Sequence, residues 1–297
     1  MSLLPLLHLG VGGPRWLDWS IHVDAIVLCI VLGWAYYYAM VELRPRVPDA
    51  PRVRRSQVWL FALGVLALFV AGGTPLHNLS EQYWLSAHMV QHLVFTLAAP
   101  PLLIAGTPAW LWTWLFKRPV VFPAMRVLTQ PVVAFSIFNG MVLLTHLPPT
   151  VDLALHNALF HFSVHAALVL SAMLMWWPIL SPMPELPRLS PPLQLGYLFV
   201  QSILPAVMAS FITFADRPVY TFYANAPRLF GVSPIQDQQV AGGLMKLIGS
   251  LVLWSFMAAV FFKWYGREEA AEKEPRWDEV EAELSELGLR QSSKPTA

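Results

Sequence analysis

A chain of 297 residues that is 56% hydrophobic, 12% charged and of net charge +1 carries too little polar surface for a water-soluble globule. Its mean hydropathy of +0.53 marks a polytopic membrane protein, and the near-neutral balance removes any electrostatic case for nucleic-acid binding. The single cysteine, Cys29, excludes a disulfide framework and a thiolate metal cage.

Seven apolar stretches reach the length of about 20 residues that a bilayer-crossing helix needs. In chain order they cover roughly 22–42, 56–73, 83–104, 126–146, 156–178, 192–214 and 236–264. None shows the strict alternation of a membrane barrel strand, so helix is the spanning form. The expected fold class is therefore all-α, an integral membrane bundle of seven transmembrane helices. Pro- and Gly-rich breaks such as RPRVPDAP, AGGTP, FKRPVVFP, LPPT and ADRPV separate the spans. The N-terminus lacks a basic n-region and a cleavage site, which predicts that the first span is retained. The transmembrane domain is expected over 1–265. A charged tail follows over 266–297, where Trp277, Val280, Leu284 and Leu287 recur near helical period and Gly288 supplies a stop.

Lys and Arg set the expected orientation. Arg44, Arg46, Arg52, Arg54 and Arg55 follow the first span, and Lys117, Arg118 and Arg126 follow the third. Arg188 follows the fifth, and Lys263 and Arg267 end the last. The opposite side holds only Arg15, Arg217 and Arg228. The positive-inside rule then places the N-terminus outside and the C-terminus in the cytoplasm.

Two histidine pairs at i,i+4 spacing carry the chemistry. His88 and His92 lie in the third span, and His161 and His165 lie in the fifth. Each pair occupies one helix face, and both fall at similar depth in the outer half. Imidazole in a span faces the protein interior, so two pairs on two helices can offer four nitrogens to one small volume. His77, His146 and His156 gather at the outer mouth with Asp237 and Gln238. Neutral imidazole ligates copper, zinc or iron. Glu81, seven residues before His88, extends that face, and Asp152 precedes His156 by four and can accept its ring proton. Met89, Met208 and Met245 read as core filler or as soft ligands for Cu(I). The plainer reading of the pairs is interhelical hydrogen bonding; His8 and His22 receive no role. Lys246, about three turns into the last span, reads as a snorkelling cation or as an interior charge beside the site. No nucleophile elbow, phosphate loop or HExxH motif is present, so the chain is not expected to be an enzyme.

The segment SAHMVQHLVFTLAAPPLLIAGTPAW resembles the signature of the polytopic CtaG family, assembly factors for caa3-type cytochrome c oxidase. So do THLPPTVDLALHN, HFSVHAALVLSAMLMWWPIL and IQDQQVAGGLMK, in order across roughly 56–265. This family is distinct from the single-span copper chaperones of the same name. The resemblance implies seven spans in a bacterial cell membrane and a role in maturing a haem–copper oxidase by handling its copper. Oxidase subunits or other copper chaperones are the implied partners. His88, His92, His161 and His165 are the implied metal site, with His146, His156 and Asp237 nearby. Lys246 departs from the aromatic residue expected there. The competing reading is a bis-histidine haem protein, an electron carrier or haem-handling factor, with one axial ring from each of spans three and five.

Overall fold

The computed structural model describes residues 22–273 and residue 284, so His8, Arg15 and nearly all of the expected tail helix lie outside the described residues. All elements in it are helices. Among the described residues six are long and apolar enough to cross a membrane, and a bent pair adds a seventh if its two helices count as one span.

Helix α1 (Val23–Tyr38) runs on through a π turn and a 3-10 turn to Arg46. Helix α2 (Arg55–Gly73) returns, and a short α3 (Pro75–Gln82) lies across that end, begun by Pro75 at its first position. The third span is α4 (Leu85–Leu93), a π turn (Val94–Ala98) and α5 (Ala99–Gly106). Pro100 and Pro101 fall in the first turn of α5, and the π turn before them absorbs the break. Pro100 removes the donor that the Thr96 carbonyl would receive. The Trp176 indole N–H donates to that carbonyl instead, at 2.8 Å.

The fourth span departs from expectation. After a short α6 (Ala109–Phe116), the expected single helix over 126–146 is instead α7 (Val121–Leu128), then a bend of 78°, then α8 (Pro131–Thr145). Pro131 lacks the N–H needed for continuation and keeps Gln130 extended. The remaining 15 residues of α8 rise about 22 Å, short of a full hydrocarbon core. A short α9 (Pro148–His156) follows. Asn157 then caps α10 (Ala158–Leu180), its side chain accepting from the Phe160 N–H at 3.0 Å. Helix α11 (Pro191–Phe214), a single turn α12 (Thr221–Asn225) and the long α13 (Pro234–Lys273) follow in the described residues.

The third span is the axis of the bundle. In it 61% of the window is buried, against 11% in α1 and in α13. Helices α2, α10 and α13 pack around it, with α8 and α11 closing the far side and α1 at the edge against α2. Contacts are closest at glycines: a Cβ on Gly106 would stand 2.7 Å from the Phe61 Cα, and one on Gly242 would stand 2.8 Å from the Ala209 carbonyl. The polarity is inverted relative to a soluble protein. Ile30, Trp34, Leu170, Phe211 and Leu251 face outward, while Gln91, Asn139, Gln201 and Gln238 are buried. A lipid solvent requires this arrangement. One end of the bundle carries the arginines of the 44–55 loop and the other the histidines; these are the arginine end and the histidine end below.

A candidate metal centre built from buried histidines

Helix α4 begins at the histidine end because Asp237, the first-turn acid of α13, caps it. One carboxylate oxygen accepts from the Leu85 N–H at 2.8 Å. The other accepts from the Ser86 N–H at 3.1 Å and from the Ser86 hydroxyl at 2.5 Å. An anion there satisfies orphan donors and the helix dipole together. Asp237 was expected near the metal; its oxygens are occupied in holding α4 to α13.

The cap fixes the rotation of α4, so that His88 and His92 face α10, and the Asn157 cap does the same for His161 and His165. All four are buried. Ring centroids are 4.3 Å apart for His88 and His92, 4.2 Å for His161 and His165, 5.7 Å for His88 and His165, and 5.3 Å for His92 and His165. One nitrogen each from His88, His161 and His165 lies within 4.8 Å of the others. Ligands about 2.0 Å from one ion stand about 3.3 Å apart, so small ring rotations suffice to close the site.

Neighbouring groups set which nitrogens are free. His161 Nδ1 stands 2.5 Å from Glu81 Oε1 and donates to it, leaving Nε2 bare. His146 Nδ1 stands 2.7 Å from the Val142 carbonyl, which can only accept, so its Nε2 is bare as well. That ring is buried, edge-on to His92 with centroids 5.5 Å apart. His88 Nδ1, both nitrogens of His92, and Nε2 of His146, His161 and His165 are buried without a hydrogen-bond partner among the described residues. Most buried polar atoms are paired. Six unpaired imidazole nitrogens in one place are the structure's main anomaly.

Glu81 organises the approach to this cluster. Besides His161 it takes His77 Nε2 at 3.0 Å. Burial raises the Glu81 carboxyl, but the hydrogen bonds from His161 and His77 outweigh it and hold the group well below the usual carboxylate range. His77 is spent twice over, because its Nδ1 takes the Gln91 amide N–H at 2.7 Å. Glu81 therefore sits on α3 as the partner that fixes the His161 tautomer. The sequence places it on the His88 face, but the structure turns it toward α10.

The remaining expectations divide. His156 ends α9, is exposed, and packs edge-on against Phe222. Its Nδ1 meets the Asp152 backbone carbonyl at 2.6 Å, not the Asp152 carboxylate. The capping residue Asn157 starts α10 only afterwards, so His156 is outside the cluster. Met89 is buried beside it, and Met208 packs in the main core. Lys246 reaches away, with Nζ 3.1 Å from the Ser210 hydroxyl and 5.8 Å from the Phe214 ring centre.

Several groups escaped the sequence reading. His22 is buried, 3.1 Å from Asn78 Oδ1, with its ring 4.3 Å from His77. A file of rings thus runs from His22 through His77, 5.9 Å on to His161, and then into the cluster. Tyr220 donates to the His146 carbonyl at 3.0 Å and Tyr223 to the Ser80 carbonyl at 2.6 Å, so α12 closes over the site. A histidine at a span end and two tyrosines in a loop have no periodicity that reveals a long-range contact.

Residues 34–267 match the family described as cytochrome c oxidase caa3 assembly factor (Caa3_CtaG). No curated protein and no solved structure matches the chain.

Proposed function

The chain belongs to the cytochrome c oxidase caa3 assembly factor family, and on that premise we propose that it is a non-enzymatic copper carrier for the oxidase. The buried histidines take a copper ion at the histidine end. They pass it within the membrane to an oxidase subunit or to another copper chaperone.

The observation that carries this reading is the set of six unpaired, buried imidazole nitrogens on α4, α8 and α10. Leaving such groups without partners costs about 1–3 kcal/mol each, and a soft or borderline cation is the ligand their lone pairs fit. An all-nitrogen site without thiolate holds copper and can also let it go. Ring rotation is needed to close the site, and the reverse rotation opens it. The tight packing of the four paired rings favours a small ion over a porphyrin plane held between two axial histidines.

In this reading the bias of Lys and Arg supports an outside histidine end and a cytoplasmic C-terminus, and family membership supports a bacterial cell membrane. His22, His77 and Glu81 then form the outward approach for a hydrated cation. Elemental analysis of the purified protein tests the reading. Copper should accompany the wild type and be lost from the double variant His88→Ala, His92→Ala. Unchanged copper in that variant removes these residues from the site, and a Soret band in the wild type would move the assignment to haem. In cells, deletion should leave oxidase with its haem but short of copper.

A further inference from the structure

Over 25–41, 56–73, 85–106, 131–145, 158–180, 191–214 and 238–262 the only Asp, Glu, Lys or Arg is Lys246. A charge inside a span is costly, so it pairs or reaches toward the interface. Lys246 has no carboxylate partner among the described residues. Its Nζ meets the Ser210 hydroxyl at 3.1 Å and stands 5.8 Å from the Phe214 ring centre. That hydroxyl donates to the Ala206 carbonyl at 2.8 Å, so a lone pair faces the ammonium. One neutral oxygen accepts a hydrogen bond and leaves the charge uncompensated.

Depth decides what can compensate it. Asp237 holds the start of α13 level with the start of α4, and Gln238 Nε2 donates to the Ile212 carbonyl at 3.1 Å. The histidine-end limits of α4, α11 and α13 therefore coincide. Lys246 follows nine residues after Asp237, about 14 Å deeper, near the middle of a hydrocarbon core about 30 Å thick. Its side chain leans toward the N-terminus of α13, as helical side chains do, and gains the level of Ser210. That level is four residues, about 6 Å, below the last residue of α11. Headgroup phosphates lie outside the hydrocarbon, beyond this reach. A second copy of the chain brings no acid to this depth, because none of its described spans holds one there.

The residue stands in a lipid-facing groove between α11 and α13. Phe211 and Phe214 are exposed on one side of it, and Leu247 and Leu251 on the other. Between them Ser210, Lys246 and Gly243 are only half-buried. A Cβ on Gly243 would meet nothing within 4 Å, so the groove is open there. Small residues let helices approach closely in lipid, and polar contacts hold them together. We propose that this groove seats a transmembrane helix of a partner protein, and that the helix carries an Asp or Glu that pairs with Lys246 inside the hydrocarbon. Opposite charges attract most strongly where the dielectric is low, and a carboxylate supplies the charged acceptor that Ser210 is not. Helix α13 packs on α4, so the docked helix lies one helix away from His88 and His92. The inference rests on the carrier reading for what the partner does, and on the Lys246 groove for where it sits.

The test uses full-length protein in liposomes of neutral phosphatidylcholine, with a synthetic helix of about 24 Leu and Ala residues. The helix carries one Asp roughly six residues from an end and a diazirine leucine one turn away. Photo-cross-linking is compared with the same helix bearing Asn, and copper is measured on the same samples. Wild-type protein should capture the Asp helix roughly tenfold better than the Asn helix, with the cross-links on α11 and α13. Lys246→Met should abolish that preference without changing copper content. Lys246→Asp should transfer it to a helix bearing Lys, which a merely structural lysine would not do. Gly243→Leu has room for its side chain; it should lower capture of the Asp helix, and it serves if the first variants misfold. Equal capture of the Asp and Asn helices by the wild type overturns the proposal, as does a preference unchanged in folded Lys246→Met. Loss of the preference on adding phosphatidylglycerol would give the ammonium to lipid phosphate instead. A disulfide dimer of the double variant Cys29→Ser, Leu247→Cys would give the groove to a second copy. Copper bound without helix capture refutes the docking site alone, and helix captured without copper refutes the carrier reading alone.

Discussion

Replacing Glu81 by Gln is the most informative single change, because it alters no candidate ligand and nearly preserves shape. The carboxylate receives His161 Nδ1 at 2.5 Å and His77 Nε2 at 3.0 Å. Hydrogen bonds to a charged group contribute about 1.5–3 kcal/mol each. The amide keeps one weaker acceptor and adds an NH2 group that cannot accept. His161 then loses the anion that fixes its proton on Nδ1, and the tautomer with Nε2 protonated, which cannot ligate, becomes populated. Loss of such a supporting partner costs about 10–100-fold in metal affinity, or about 1.4–2.7 kcal/mol. Competition titration of Cu(I) against a chromophoric chelator at neutral pH should read that range for Glu81→Gln and a larger loss for His161→Ala. Glu81→Asp should fall between wild type and Gln, since the shorter arm reaches one ring and not both. If Glu81→Gln binds copper as the wild type does while His161→Ala does not, His161 is oriented by something other than Glu81. The same group predicts a pH effect on stability. Its folded-state pKa is depressed, so its contribution is present above the ordinary carboxylate value of about 4.3. That contribution is lost as pH falls toward the depressed folded value. The wild type should therefore lose more melting temperature than Glu81→Gln on acidification below about pH 4.

Asp237→Ala should cost about 1–2 kcal/mol through the lost cap, seen as a lower melting temperature in detergent, and should weaken copper binding less than His88→Ala does. Gly242→Val should reduce stability by about 1–3 kcal/mol or prevent accumulation, because its Cβ meets the Ala209 carbonyl at 2.8 Å and the Thr213 N at 2.9 Å; a normal melting curve would show that α11 and α13 can separate there. With Cys29 replaced by Ser, cysteines at the exposed positions Arg52 and Gln82 should label from opposite faces of sealed vesicles, and labelling from one face would remove the proposed orientation.

Hydropathy and the i,i+4 pairs made most of the bundle legible, because lipid imposes a length on every span and burial on every imidazole. The last span runs on past its expected end at 264 to Ala271, and five others fall within a few residues of their expected limits. The fourth did not, since a window average passes over Gln130 and Pro131 while backbone geometry does not. Short helices such as α3 and α9 have no apolar window to announce them, and α3 is the element that brings His77 and Glu81 to α10. Asp237 is the clearest misreading. A carboxylate at an outer mouth looks like a ligand, yet its role comes from a helix terminus about 150 positions away in sequence. His22 and the α12 tyrosines failed for the same reason: their meaning is a tertiary contact, which no local spacing encodes.

The π turn at Val94–Ala98 has a consequence for phase. A helix advances about 100° per residue, and a π turn takes in one residue more than an α turn. The upper half of the third span points His88 and His92 at α10, while the lower half packs Leu103 against Gly64 of α2. The extra residue lets each half keep its own azimuth. Removing one residue from 94–98 would let this turn close as an ordinary α turn with both halves near their present azimuth, whereas removing one residue from the α-helical turn on either side would swing one half by about 100° against the other, so that either the nitrogens or the α2 contact must face lipid.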